Sequence, residues 1–334
     1  MILVTGGAGY IGSHTCIALA QAGHDVLIVD NFTNSTTAAL GRLSRIIGRP
    51  VHWREGDVRD GVLLDGIFAE HPISAVMHFA GRKSVAESVE RPLEYFDSNV
   101  VGSIAVVQAM QRAGCKTLVF SSSATIYGSS ESMPVSEDAA YAVASPYGRT
   151  KLVVEEMLQD LIRSDASWSI ATLRYFNPAG AHPSGLIGEN PLGTPNNLMP
   201  YITQVASGAR PKLRVFGNDY PTLDGTGVRD FVHIMDLASG HVAALNFLIQ
   251  RHDSITLNLG TGRGTSVLEM IQAFERASGR AIPYEIVGRR DGDVGISFAD
   301  VRRARELLGW EATRDIVEIC RDVWRWQLRM SEVG

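Results

Sequence analysis

Lysine is scarce: the chain has four in 334 residues, at positions 83, 116, 151 and 212. Cysteine is scarcer still. Cys16, Cys115 and Cys320 lie far apart with no C-x-x-C pair, which argues against a disulfide framework and predicts a reducing, cytoplasmic setting. No apolar run approaches the ~18 residues that span a bilayer. MILVTGG has no basic segment ahead of its apolar residues and passes straight into a glycine turn, so no signal peptide is expected. Excess positive charge is missing as well. A net charge of −5 argues against nucleic acid or an anionic membrane as the main partner, so an anionic ligand must be held by a few local arginines. There is no repeat and no low-complexity tail, and no metal site is expected.

What remains is an ordinary globular balance, with 45% hydrophobic residues, 20% charged residues and 33 glycines. A chain of 334 residues buries a full core, as one large domain or two unequal ones. Short β-branched runs at 2–5, 25–30, 51–57, 75–80, 117–122 and 169–174 alternate with amphipathic stretches near 11–22, 60–70, 93–113 and 147–163. That alternation predicts βαβ units with right-handed crossovers, hence an α/β fold with a Rossmann-type doubly wound parallel sheet. From about 177 the texture changes. NPAGAHPSGLIGENPLGTPNNLMP is rich in Gly, Pro and Asn, a long connection of the kind that carries function. Beyond it, helices are expected near 197–207, 235–250, 266–278, 301–308 and 315–328, with short strands near 213–216, 255–259 and 284–287. This part reads as a smaller C-terminal α/β lobe capping the sheet edge.

Thr5-Gly6-Gly7-Ala8-Gly9-Tyr10-Ile11-Gly12 falls between the first strand and the first helix, with glycine at 6, 9 and 12. A pyrophosphate needs backbone N–H groups at close approach and a helix N-terminus facing it, and side chains there would block both. Asp30 ends the second strand 18 residues after Gly12 (30 − 12). An acid there accepts from an adenosine ribose 2′-OH and repels a 2′-phosphate, which favours NAD over NADP. The plainer alternative is a tight turn beside a polar strand end. Asp57 closes the third strand and suits either an adenine amino group or a helix N-cap. Phe79-Ala80-Gly81 closes the fourth strand, and Lys83 can reach a pyrophosphate or ribose from there.

Ser121–Ser123 end the fifth strand on the same edge. In SPYGRTK, Ser145 suits an N-cap and Pro146 a first helical residue, so Tyr147 and Lys151 share one face at i and i+4. A phenol loses its proton near pH 10, and bringing that near neutrality takes roughly 3 units, or about 4 kcal/mol. A lysine cation one turn away, with the positive ring of an oxidised nicotinamide, is the expected means. Tyr147 then takes a proton from a substrate hydroxyl as hydride leaves the same carbon, and Ser123 orients that hydroxyl.

TGGAGYIG, Asp30, Ser123 and Tyr147-x-x-x-Lys151 together resemble the extended short-chain dehydrogenase/reductases. Further segments are similar to the UDP-glucose 4-epimerase branch of that family: DNFTNS, HFAGRKSVAES, FSSSATIYG, LRYFNPAGAHPSG, PNNLMPYI and FGNDYPTLDGTGVRDFVH. The resemblance covers roughly residues 2–318. It implies NAD-dependent inversion at C4 of UDP-hexoses through a 4-keto intermediate, with NAD tightly bound and regenerated each turnover. Tyr147 is then the base, Ser123 its helper, and Lys151 the tuner and ribose ligand. Gly6, Gly9, Tyr10, Ile11, Gly12, Asp30, Asn31, Phe32, Thr33, Asn34, Ser35, Asp57, Val58, Phe79, Ala80, Gly81, Lys83, Asn99, Ser121, Tyr175 and Phe176 match cofactor positions. The neighbour of Asn99 is Ser98, where the family has a second Asn.

For the UDP-sugar, Lys83, Asn177, Asn197, Leu198, Arg214, Val215, Phe216, Arg229, Arg290 and Asp293 match. A diphosphate suits guanidinium groups, and Asp293 suits a ribose hydroxyl. Ser297 stands where narrow-specificity relatives carry a bulky Tyr, which implies room for UDP-GlcNAc and UDP-GalNAc. The implied division is residues 1–176 for NAD, with parts of 230–260 returning to it, and 177–334 mainly for the UDP-sugar. A homodimer through the 93–113 and 147–163 helices is also implied. Nucleotide-sugar dehydratases are disfavoured, because Ala124-Thr125 replace their Asp-Glu. A uronate epimerase and a non-catalytic NAD-sensing regulator stay as alternatives, although the regulator would be expected to lack Tyr147 or Lys151.

Overall fold

The computed structural model describes residues 1–130, 132–193, 195, 197–290 and 292–333. Asn196 of PNNLMPYI lies outside them. Strands β1 (Ile2–Thr5), β2 (Val26–Asp30), β3 (His52–Glu55), β4 (Ala75–His78), β5 (Thr117–Ser123) and β6 (Ser169–Tyr175) join Ile255–Leu259 in a seven-stranded sheet. Its order is 255–259, β6, β5, β4, β1, β2, β3, and every pair is parallel. The chain steps outward from β1 to β3, then returns to place β4 on the other side of β1. In a doubly wound sheet that reversal opens a crevice outside the carboxyl ends of the strands.

Alternate strand residues face opposite ways, and here both faces are apolar. Ile2, Val4, Ile28, Met77 and Leu173 pack on one side against Ile17 and Leu19 of helix α1 (Tyr10–Gln21), Leu40 and Leu43 of α2 (Ala38–Ile47), and Leu245 of the helix Ile234–Arg251. Leu3, Leu27, Val76, Phe120 and Ile170 pack on the other against Leu64 and Ile67 of α3 (Gly61–Glu70), Val106 of the helix Gly102–Arg112, and Leu158 of the helix Pro146–Ser164. The sheet is therefore covered on both faces, as a parallel sheet requires.

The second lobe packs the helices Leu198–Ala206, Val267–Ser278 and Ile316–Val333 around Met199, Ile202, Phe274 and Ile319. Its strands are short. Asn177–Ala179 pairs with Phe231–His233, and Leu213–Phe216 with Tyr284–Val287, both parallel. Val228–Arg229 lies between Thr265–Ser266 and Ile296–Ser297.

Four local expectations change. The third strand stops at Glu55, because as the sheet edge it has only one neighbour and all four of its residues are exposed. Asp57 consequently lies in the loop beyond it, and Asp60, whose side chain accepts from the Val62 and Leu63 N–H groups, is the helix cap. The single helix expected near 93–113 is three pieces: Pro92–Tyr95, a π-helical turn Phe96–Val101, and Gly102–Arg112. Finally, α2 and the helix Val85–Glu90 occupy residues assigned no structure from sequence.

Candidate active site

The glycine turn is shaped by contacts that leave no room for a side chain. Gly6 has φ +70°, and a Cβ there would sit 2.7 Å from the Ala80 N; at Gly12 it would sit 2.3 Å from the Gly6 O. The turn thus brings β1 against the end of β4 and directs the start of α1 into the crevice. Gly9 caps that helix without any side-chain bond, so its first N–H groups remain for a ligand. Asp30 fixes the loop from the next strand. Its Oδ2 accepts from the Ala8 N–H (3.0 Å), and its Oδ1 from the Phe32 N–H (2.9 Å) and the Ser35 hydroxyl (2.8 Å). A carboxylate offers about four acceptor sites, so one remains for a ribose hydroxyl.

At the end of β5, Ser123 accepts from the Thr125 N–H (3.2 Å) and hydroxyl (3.0 Å). Ser145 caps the next helix by accepting from the Gly148 N–H (3.1 Å), with Pro146 at the first helical position. That start puts Tyr147 and Lys151 on the crevice wall beside Ser123. Lys151 is buried, donates to the Ser121 carbonyl at 2.7 Å, and lies 5.1 Å over the Phe120 ring. Burial lowers its pKa from 10.5 to about 8, opposed by Glu155 one turn on.

The expected acidification of Tyr147 is not found in the protein alone. Burial raises the phenol above its ordinary value, and only the hydrogen bond with Ser123 works against that. The reason is desolvation: the site favours the neutral phenol until further positive charge enters it.

These residues line one cavity of about 970 Å³ that runs from the glycine turn to the second lobe. All the expected ligand-binding residues are on its wall except Phe32, Asn99 and Ser297. Phe32, at φ +54°, instead packs edge-on against Trp53. Asn99 is buried behind the wall. Its Oδ1 accepts from the Arg82 N–H (2.7 Å) and its amide donates to the Arg82 O and the Thr150 hydroxyl (3.0 Å each), while Ser98 faces the cavity. Ser297 is held in the strand ladder opposite Arg229, with its carbonyl accepting from the Asp230 N–H at 3.1 Å. Asp57 lines the cavity, but Arg59 and Asn31 engage its carboxylate (2.7–3.0 Å), so it must release a partner to accept from an amino group. The Arg59 bonds hold it well below the usual carboxylate range.

At the far end, Arg229 is partly buried, and burial lowers its pKa, offset by Asp293. Arg290 pairs with Asp293 at 2.9 Å and lies 4.5 Å over the Phe216 ring, with Arg214 at 5.3 Å from the same ring. This end offers three guanidinium groups and an aromatic face, which suit a diphosphate and a base.

Sequence reasoning missed a buried polar network behind the Ser123–Tyr147–Lys151 wall. Arg174 on β6 donates to both Glu155 oxygens (2.6–3.1 Å), to the Tyr127 hydroxyl and Glu137 O (2.8 Å each), and to the Tyr141 hydroxyl (2.8 Å). The Ser122 hydroxyl donates to Glu155, and Tyr127 to Asn258 Oδ1 at 2.7 Å. The network ties the Tyr147 helix to β5, β6 and the edge strand, and sets Glu155 four residues past Lys151. Glu155 at i+4 from Lys151 was a signal in the sequence; the strand partner Arg174 was not.

The residues present fit a dinucleotide. The glycine cradle excludes a Cβ at Gly6 and Gly12, the helix start is uncapped, and Asp30 keeps a free acceptor. A family profile described as "NAD dependent epimerase/dehydratase family" matches residues 2–260. The chain is 53% identical over 326 residues to the UDP-glucose 4-epimerase of Bacillus subtilis, covering 98% of this chain and 96% of that protein. Its fold is similar to a crystal structure of UDP-glucose-4-epimerase from Stenotrophomonas maltophila with bound NAD and formylated UDP-arabinopyranose. That likeness has TM-score 0.98 and 56% identity and covers 100% and 99% of the two chains. A Bifidobacterium longum UDP-glucose 4-epimerase with NAD+ and UDP gives TM-score 0.95 at 46% identity, over 100% and 99%.

Proposed function

The chain belongs to the NAD-dependent epimerase/dehydratase family, and we propose that it interconverts UDP-glucose and UDP-galactose by reversible inversion at C4. The observation that carries this is the single cavity joining the glycine turn, the Ser123–Tyr147–Lys151 wall and the arginine cluster. NAD, when bound, is the oxidant that takes hydride from C4 and gives it back. The glycine turn and Asp30 hold the dinucleotide on residues 1–176, and Arg229, Arg290 and Asn177 hold the UDP-sugar mainly on 177–334. Ser123 hydrogen-bonds the sugar 4-OH and orients it toward Tyr147. The Tyr147 oxygen takes that proton, leaving a 4-keto sugar, and returns it after the sugar has presented its other face. Lys151, as a cation, stabilises the phenolate.

Net redox is zero. Purified protein is expected to convert UDP-galactose to UDP-glucose with no added NAD and no accumulating nicotinamide absorbance. Stoichiometric absorbance change would make it a dehydrogenase instead.

Breadth at C2 rests on Ser297. Ser297 lies in the ladder beside Arg229 and off the cavity wall itself; a serine there projects no bulk into the sugar pocket, as a tyrosine would, and this supports turnover of UDP-GlcNAc and UDP-GalNAc. Full N-acetylated-sugar activity in Ser297→Tyr would remove that gate.

A homodimer is supported by an apolar strip on residues 85–101, where Val85 is 46% exposed, Val89 64%, Leu93 82% and Val101 47%. Light scattering is expected to give twice the chain mass, falling to one on Leu93→Glu. No helix among the described residues is long and apolar enough to cross a membrane. Three unpaired buried thiols support a reducing, cytoplasmic setting.

A further inference from the structure

Glu189 sits on the cavity wall, its side chain only 10% exposed, and has no assigned role in the reaction so far. Its Oε1 accepts from the Lys83 ammonium at 2.9 Å and from the Asn197 amide at 2.7 Å. Lys83 follows β4 of the sheet lobe, and Asn197 begins a helix of the second lobe, so one carboxylate oxygen bridges the two. The carboxylate is built in. Just before it, the chain makes a hairpin in which Ala181 bridges Gly188 and the His182 N–H reaches the Ile187 O at 2.9 Å. Trp326 then donates to the Glu189 carbonyl at 3.3 Å, and a Cβ at Gly188 would lie 2.6 Å from its ring.

We propose that this cluster meets the C5 substituent of the sugar and that Glu189 makes the enzyme reject a carboxylate there. The proposal rests on the epimerase reading. The Glu189 partners Lys83 and Asn197 are both expected substrate contacts on the cavity wall, and C5 adjoins the reacting C4, so the C5 substituent is the part of the sugar assigned to this cluster. The cluster offers one ionised acceptor flanked by two donors. A CH₂OH group both donates and accepts, so it satisfies all three. A uronate carboxylate only accepts, and would face the like charge of Glu189. Without Glu189, Lys83 would be a free cation at that place and would welcome the anion. Specificity here is built by an unfavourable pairing against the wrong sugar.

The test compares kcat/KM for UDP-galactose and UDP-glucuronate in the wild-type protein, Glu189→Gln and Glu189→Asp. The Gln variant keeps the size and removes the charge, and is expected to raise the uronate-to-hexose ratio at least tenfold, chiefly through KM. The Asp variant keeps the charge and is expected to keep the exclusion. A ratio within twofold of wild type in Glu189→Gln overturns the proposal, as does an equal gain in Glu189→Asp. If no form turns over UDP-galactose, the epimerase reading has failed separately. Equilibrium binding of UDP-glucuronate against UDP-glucose to the same three proteins then decides the role of Glu189 by the same tenfold criterion.

Discussion

The two ends of the cavity are made of different material. The dinucleotide end is backbone: glycines, carboxyl ends of parallel strands, and an uncapped helix start, all locked by a sheet covered on both faces. The substrate end is side chain: arginines on strands of two to four residues and on loops, with Arg290 paired to Asp293. The first end is largely set before any ligand arrives, with Asp57 alone having to release a partner there. The second must give up an existing pair, Arg290 with Asp293, to bind one. A resident cofactor and an exchanging substrate call for those two constructions.

Substitutions separate the ends most sharply where the backbone is tightest. Gly12→Val places a side chain on the Gly6 carbonyl, and is expected to abolish dinucleotide retention, read by the nicotinamide content of the purified protein. Next comes Arg174→Met, which leaves the buried Glu155 without its cation and with only the Ser122 hydroxyl donating to it. The loss should be about 3–5 kcal/mol in denaturant unfolding, and the double variant Arg174→Met/Glu155→Leu should recover part of it. Should the single variant be neutral, the network behind the wall is not what holds the Tyr147 helix. Arg229→Ala removes charged hydrogen bonds worth roughly 1.5–3 kcal/mol, so UDP affinity by calorimetry should drop about 10- to 100-fold while NAD content stays whole. Loss of NAD from that variant would erase the distinction between the ends.

The smallest effect is in pH. Lys151 has a folded pKa of about 8, below its ordinary 10.5. The folded protein thus binds this proton less tightly than the unfolded chain. The buried cation weighs against folding below pH 8, and that cost fades as pH rises toward 10.5. Activity runs the other way, since the charge that supports the Tyr147 phenolate is lost above pH 8. The upper limb of kcat against pH should fall near that value. Lys151→Arg, which keeps its charge, should move the limb upward even if the plateau is lower.

Legibility followed the same division. The glycine spacing, the acid ending β2 and the N-cap before Tyr147 are local signals, each set by a few neighbouring residues, and the structure brings them together at the strand ends. Arg174 and Glu155 are remote in sequence, and no periodicity links a strand arginine to a helix glutamate. Glu189 sits in a Gly- and Pro-rich connection where no pattern predicts direction. The break in the expected 93–113 helix has another cause. The π-helical turn is held by Asn99, whose partners Arg82 and Thr150 come from other parts of the chain. Spacing reveals the cation near Tyr147 but not the burial around the phenol, which raises its pKa as long as the protein is alone in the site.

The reaction account turns on the Tyr147 oxygen carrying the C4 proton. The most direct check is the Tyr147→Phe protein, purified with its dinucleotide in place, in a UDP-galactose assay. The account predicts kcat lower by about 10²- to 10⁴-fold with UDP affinity unchanged. Inversion at the wild-type rate with NAD still bound would contradict it.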